Sequence, residues 1–270
     1  GPGWTLCADA EAGMASLYEA VQLILDGRTE LAVAGAADSK TSLADRLAAR
    51  RNGSDECMGE GAGFVILESY DRARARNARI YDVLTEHSPF VAPTTRPFGD
   101  CGAATHVLSY LLEKAQSLSI GDAGLNSSEA ERAPSIRAPA ILVKPTFSPV
   151  AITAVGLATP LGNTLDDFSR NLMAGRSAVA PITSFDASEF PVKNACETKL
   201  PSLDELNGSD ALMASFQGLS DRKSELALYS ALRAINEHGR VGKDSSLLYG
   251  TGLSSVSARE LEEDCFPFFS

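Results

Sequence analysis

An α/β fold with a mainly parallel central sheet is what the sequence predicts, and three observations predict it. Short apolar runs alternate along the chain with amphipathic stretches of helical period. Several of these runs, Leu31 to Ala37 and Val150 to Gly156 among them, are apolar throughout, as strands covered on both faces are. Capping residues punctuate the joins, with Gly27 closing the first helical stretch and Thr164 opening a later one.

Residues 1–40 read as a strand, a tight turn, a helix and a second strand. Met14, Leu17, Tyr18, Val21 and Leu25 recur at helical spacing and are expected to form the buried face of that helix. A strand feeding a helix through small residues aims backbone N–H groups and the positive end of the helix dipole at the turn, where a cysteine would become a low-pKa nucleophile. The turn holds Ala8, Asp9 and Ala10 instead. Cys7 lies three residues before Ala10 in the expected strand, so it is read as a buried structural thiol. Asp9 and Glu11 are read as carboxylates complementing the helix start.

The next residues, 41–55, are polar. A glycine-rich run, Met58-Gly59-Glu60-Gly61-Ala62-Gly63, leads into an expected strand at Phe64 to Leu67. A short Arg/Ala helix over residues 69–76 and a strand over 80–84 follow. Gly99-Asp100-Cys101-Gly102-Ala103-Ala104 opens a helix expected over residues 105–115. Residues 118–139 are rich in Ser, Ala, Gly, Glu and Pro without periodicity, which marks a linker, so the chain divides into residues 1–117, a linker at 118–146 and residues 147–270. In the last segment a buried strand over 150–156 precedes a helix over 164–174, capped by Thr164 and using Leu165, Phe168 and Leu172. From Pro181 the chain is expected to be irregular. A second helix uses Leu226, Leu228, Leu232 and Ile235, with His238 as a cation at its carboxyl end, and a strand over 247–253 follows.

Composition bounds the function. A formal charge of −11 over 270 residues argues against a nucleic-acid surface and an anionic membrane face, both of which need clustered Lys and Arg. Five cysteines without CxxC or metal-like spacing suit a reducing cytoplasm, and no cofactor or metal is implied. Neither a secretory leader nor an apolar run of about 18 residues is evident. Arg72, Arg74, Arg76 and Arg79 form either an ordinary solvated helix face or a basic patch for an acidic partner.

These motifs resemble the β-ketoacyl-ACP synthases (ketosynthases), whose fold is the layered α/β/α thiolase-like one. Residues 59–80 are similar to the family's G-[DE]-G-A-G-x-[LV]-[VL]-L-E segment and the helix after it. Gly1-Pro2 and the strand, helix and strand that follow resemble the nucleophile turn. Residues 150–162 resemble the family's amino-terminal V-x-[IV]-T-G-x-G-x-x-[ST]-P-[LV]-G, with Ala154 in place of the first glycine. Against that pattern the nucleophile position falls on Ala10. Asp100 stands where one family histidine would, if residues 99–104 are a remnant of G-H-x-G-A-A rather than a plain Gly/Ala helix start. No H-G-T-G-T occurs, and neither His87, His106 nor His238 has a partner visible in sequence.

The family's blocks are also reversed in order, which makes the expected fold incomplete or permuted. A circular permutation, a seam between two synthases and a misassembled frame each account for it. The resemblance implies a role in fatty-acid or polyketide biosynthesis, an acyl carrier protein as partner, and dimerisation through the strand from Gly3 to Ala8, with itself or with an active ketosynthase. Three readings stay open: a non-catalytic subunit comparable to a chain-length factor and inactive alone, an acyltransferase completed by another chain or an unrecognised nucleophile, and a fragment without function of its own.

Overall fold

The computed structural model describes residues 3–7, 11–41, 57–84, 99–120, 149–188, 192–201, 222–242 and 244–252. Strands β1 (Gly3–Cys7), β2 (Leu31–Ser39), β3 (Glu60–Ser69), β4 (Asp82–Leu84), β5 (Val150–Ala158) and β8 (Ser246–Thr251) form one six-stranded sheet in the order β1-β8-β2-β3-β5-β4. A short pair, β6 (Ala180–Pro181) with β7 (Asn194–Ala195), stands apart within the stretch expected to be irregular. The helices are α1 (Ala12–Leu25), α2 (Tyr70–Ala75), α3 (Ala104–Ile120), α4 (Leu165–Met173) and α5 (Arg222–His238).

The sheet is mixed. β8 is parallel to both β1 and β2, whereas β3 is antiparallel to β2 and to β5, and β4 is antiparallel to β5. Strands β1, β8, β2 and β5 therefore share one direction, which β3 and β4 oppose. The two sequence segments interleave: β8 is inserted between β1 and β2, and β5 between β3 and β4. Each segment supplies hydrogen-bonding partners that the other lacks.

Helices cover both faces. Ala32, Ala34 and Ala36 of β2 and Val65 and Leu67 of β3 face α1 and α3, while Leu31, Val33, Phe64 and Ile66 face α5. That alternation is the period of two expected of a pleated strand. The register slips between Ile66 and Leu67, which pair with Ala154 and Ile152 and leave Thr153 as the extra residue of a bulge. As a result Ile152 joins the α1/α3 side and Ala154 the α5 side, although the two are only two residues apart.

Close backbone approach governs the packing of α1. A Cβ on Gly13 would lie 2.5 Å from the Ala103 carbonyl oxygen and 2.8 Å from the Ala36 Cβ. The Ser16 hydroxyl donates to the Gly35 carbonyl at 2.9 Å. Small residues thus face the sheet, with Ala12, Gly13, Ser16, Leu17, Ala20 and Val21 buried. This corrects the expected face: Leu17 and Val21 belong to it, Met14 and Leu25 are only partly buried, and Tyr18 turns outward with 49% exposure.

Local signals placed the ends well. Gly27 follows α1 with φ of +68°, and Thr164 caps α4 by accepting the Asp167 N–H. Strands β2, β3 and β5 each run further than the expected core, and α3 continues to Ile120, past residue 115. The rest of the expected linker, residues 121–146, lies outside the described residues, as do the polar residues 42–55.

Candidate functional site at the carboxyl end of the sheet

Helices α1, α3 and α5 begin at one end of the sheet, where the shared-direction strands finish. Gly250 near the end of β8 touches Ala12 of α1, Ala103 ahead of α3 donates its N–H to Asp38, and Arg222 of α5 reaches Glu60 at the start of β3. Ligand sites in open α/β sheets form at this end. The charges gathered there come from β2, β3, α5 and the segment before α3.

Asp38, Glu60 and Asp100 are each matched to a cation. Asp38, 3% exposed, bonds Lys223 Nζ at 2.7 Å and the Ala103 N–H at 3.0 Å. Glu60, 4% exposed, receives Arg222 Nε at 3.1 Å and Nη2 at 2.7 Å, the Thr198 N–H at 2.8 Å, and the hydroxyls of Ser39 and Thr41 at 3.2 Å. Asp100 pairs with Lys40 at 2.9 Å and accepts the Gly102 N–H and the Thr105 hydroxyl ahead of α3. Charged groups this deep are stable only when paired and hydrogen-bonded. At Asp100 the geometry is that of a carboxylate opening a helix.

Three thiols lie beside this cluster. Cys57 and Cys196 bring their sulfurs within 3.6 Å, and the buried Cys101 directs its thiol to the Gly99 carbonyl. Burial, with the charge of Asp100 adding to it, pushes the Cys101 thiol well up. Burial and the neighbouring Cys57 push Cys196 up to about 12. Both are therefore protonated at neutral pH and weak as nucleophiles.

The positions singled out in the sequence fare unequally. Residues 8–10, including Asp9 and Ala10, lie outside the described residues, as does His87; Cys7 is described only as backbone, paired with Thr251. Glu11 occupies the cap position of α1, at the helix start where it was expected, and makes no side-chain capping hydrogen bond. Among the described residues β1 lies at the edge of the sheet, hydrogen-bonded to β8. The arginines around α2 are engaged: Arg76 Nε binds Glu68 at 3.0 Å, Arg72 meets Glu30, and Arg74 and Arg79 lie over the rings of Tyr70 and Tyr81.

His238 is not a terminal cation. Its side chain is 1% exposed and lies 3.2 Å from Glu68 Oε1 at the opposite end of the sheet. Burial drives its pKa down and outweighs the stabilising carboxylate of Glu68, so the ring is neutral at pH 7. Nδ1 accepts the Arg240 N–H, which leaves Nε2–H to donate to Glu68. For Glu68, burial raises the pKa, but hydrogen bonds from Arg76 and His238 prevail and hold it below the usual carboxylate range.

Sequence reasoning passed over Asp38, Lys40, Glu60 and Lys223 as site residues, because their partners lie up to 185 positions away; Asp38 to Lys223 is the longest span, 223 − 38. The one local signal was a charged residue at the end of an apolar strand, as at Asp38 and Lys40. Among the described residues no group of three or more His, Cys, Asp or Glu side chains is arranged to hold a metal, and no helix is long and apolar enough to cross a membrane.

Comparison with known proteins agrees with the motifs. Residues 147–253 match the model of the beta-ketoacyl synthase N-terminal domain. The chain is 31% identical over 116 residues to 3-oxoacyl-[acyl-carrier-protein] synthase 2 of Synechocystis sp., covering 41% of this chain and 27% of that protein. It is 50% identical over 50 residues to the synthase 2 of Coxiella burnetii, covering 18% and 12%. Identity to the oxytetracycline polyketide putative beta-ketoacyl synthase 1 of Streptomyces rimosus is 34% over 101 residues, covering 30% and 24%. The chain thus spans about a quarter of the length of these relatives, or less. No solved structure matches it. The matched stretch supplies β5 and β8 to the layered sheet, so residues 147–253 are similar to the N-terminal domain of the beta-ketoacyl synthases in sequence, and the layered α/β architecture is consistent with their thiolase-like fold.

Proposed function

We propose that the chain is a non-catalytic ketosynthase-like subunit of fatty-acid or polyketide biosynthesis, comparable in role to a chain-length factor. The reading is carried by the carboxyl end of the sheet, where Asp38, Glu60 and Asp100 are each matched to a cation and the Cys101 and Cys196 thiols are held protonated. Covalent acyl capture needs an activated nucleophile, and the sequence has Ala10 at the family's nucleophile position. The names of the relatives support the pathway class. An edge strand such as β1 calls for cover, which supports dimerisation through the Gly3 to Ala8 strand with a second copy or with an active ketosynthase.

Incubating the purified chain with acyl-ACP or acyl-CoA and reading its intact mass tests this directly. The expected result is an unmodified mass; an acyl adduct on any cysteine overturns the proposal. Size-exclusion chromatography with an active ketosynthase is expected to give a 1:1 complex, and a substitution of Thr5 by Pro in β1 is expected to abolish it.

A further inference from the structure

We propose that Cys57 and Cys196 are a reversible redox pair, closing to an intramolecular disulfide when the protein meets hydrogen peroxide. Their sulfurs are in contact at 3.6 Å, although 139 residues separate them in sequence. Backbone hydrogen bonds hold them face to face. The Cys196 N–H donates to the Met58 carbonyl at 2.9 Å, and the Cys196 carbonyl accepts the Glu60 N–H at 3.2 Å. On the other side the Cys57 carbonyl accepts the Asp100 N–H at 2.9 Å.

Gly99 completes the arrangement. It has φ of +78°, and a Cβ there would lie 3.0 Å from the Cys57 carbonyl oxygen and 3.2 Å from the Cys196 sulfur. A residue without a side chain leaves both sulfurs room to approach. Bond formation needs them to close by about 1.5 Å, to a length of about 2.05 Å.

The two thiols differ in access. Cys57 is partly exposed, whereas Cys196 is buried. An oxidant therefore meets Cys57 first. Its thiolate attacks one peroxide oxygen; the S–O bond forms, the O–O bond breaks, and the departing hydroxide takes up a proton as water. The Cys196 thiol then passes its proton to the sulfenic oxygen as its sulfur attacks the adjacent sulfenic sulfur, forming the S–S bond and breaking the S–O bond. Hydroxide leaves with the Cys196 proton as a second water. Two thiols lose two electrons and two protons, and one peroxide becomes two waters. A dithiol reverses the bridge by exchange.

Once formed, the bridge joins the lead-in of β3 to the segment after β7, fastening the two halves of the chain beside Glu60 and Asp100. To test it, the reduced full chain is treated with hydrogen peroxide, blocked with N-ethylmaleimide and mapped by non-reducing peptide mass spectrometry.

The expected product has an intact mass lower by two hydrogens, a Cys57–Cys196 linked peptide, full loss of maleimide labelling at both residues, and recovery of labelling after dithiothreitol. Cys101→Ser is expected to retain the link and Cys57→Ser to lose it. Full maleimide labelling of both cysteines after peroxide overturns the proposal, as does stable oxygen addition at Cys57 without a bridge, or a link involving Cys7, Cys101 or Cys265. Should Cys57→Ser fail to fold, the peptide map of the unaltered chain decides alone.

Discussion

At the scale of single residues, burial overrides sequence position as the guide to charge. His238 sits where a cation would complement a helix end, yet its ring is neutral because burial, with the charges of Arg76 and Arg72 adding to it, outweighs the carboxylate of Glu68. The sign of its effect on stability follows. With a folded pKa below the ordinary value of about 6.5, the unfolded state takes up the proton first, so the contribution is intact above that pH and is lost as pH falls through it. Glu68, also depressed, adds a further loss below its own ordinary value of about 4.3. Urea midpoints measured from pH 8 downward are therefore expected to fall in two stages. His238→Gln is expected to remove the first stage and leave the second, and an unchanged profile in that variant counts against the neutral, buried ring.

At the scale of elements, glycine positions show where backbone meets backbone. The Cβ of an alanine at Gly156 would lie 1.8 Å from the Ser230 carbonyl oxygen of α5 and 2.6 Å from the Ala234 nitrogen. Neither atom belongs to a flexible side chain, so α5 itself would have to move off β5. Gly156→Ala is expected to destabilise the fold by about 1–3 kcal/mol or more, with Gly175→Ala, whose Cβ meets nothing within 4 Å, as a surface comparison. Chemical denaturation of both variants checks this. At Gly175 the strain of φ +66° adds a smaller cost of about 1 kcal/mol. The sequence marked Gly156 as a strand residue and could not reveal that a helix lies directly on it.

At the scale of the whole molecule, the interleaved sheet makes the two segments interdependent. Without residues 147–270, β2 loses β8 on one side and β3 loses β5 on the other, exposing unpaired strand edges and the apolar face of Phe64 and Ile66. Residues 1–120 and 147–270 expressed separately are expected to lack cooperative unfolding transitions, and mixing them is expected to restore one. Circular dichroism melts decide the matter, and two independently cooperative fragments would contradict the shared sheet. The reversed block order is thus compatible with one sheet, because strand order in space follows pairing partners and not position along the chain.

Local chemistry in the sequence determined the elements: the apolar runs became β2, β3 and β5, Thr164 and Gly27 set helix ends, and the glycine-rich run expected to lead into β3 became part of it. Those signals act over a few residues, through capping hydrogen bonds and side-chain period. Tertiary structure alone decided the order of strands, the direction of β3 and β4, the inward turn of small residues in α1, the pairing of Asp38 with Lys223 and Glu60 with Arg222, and the meeting of Cys57 with Cys196. Each joins groups distant in sequence, and only the packing of the sheet against its helices brings them within reach.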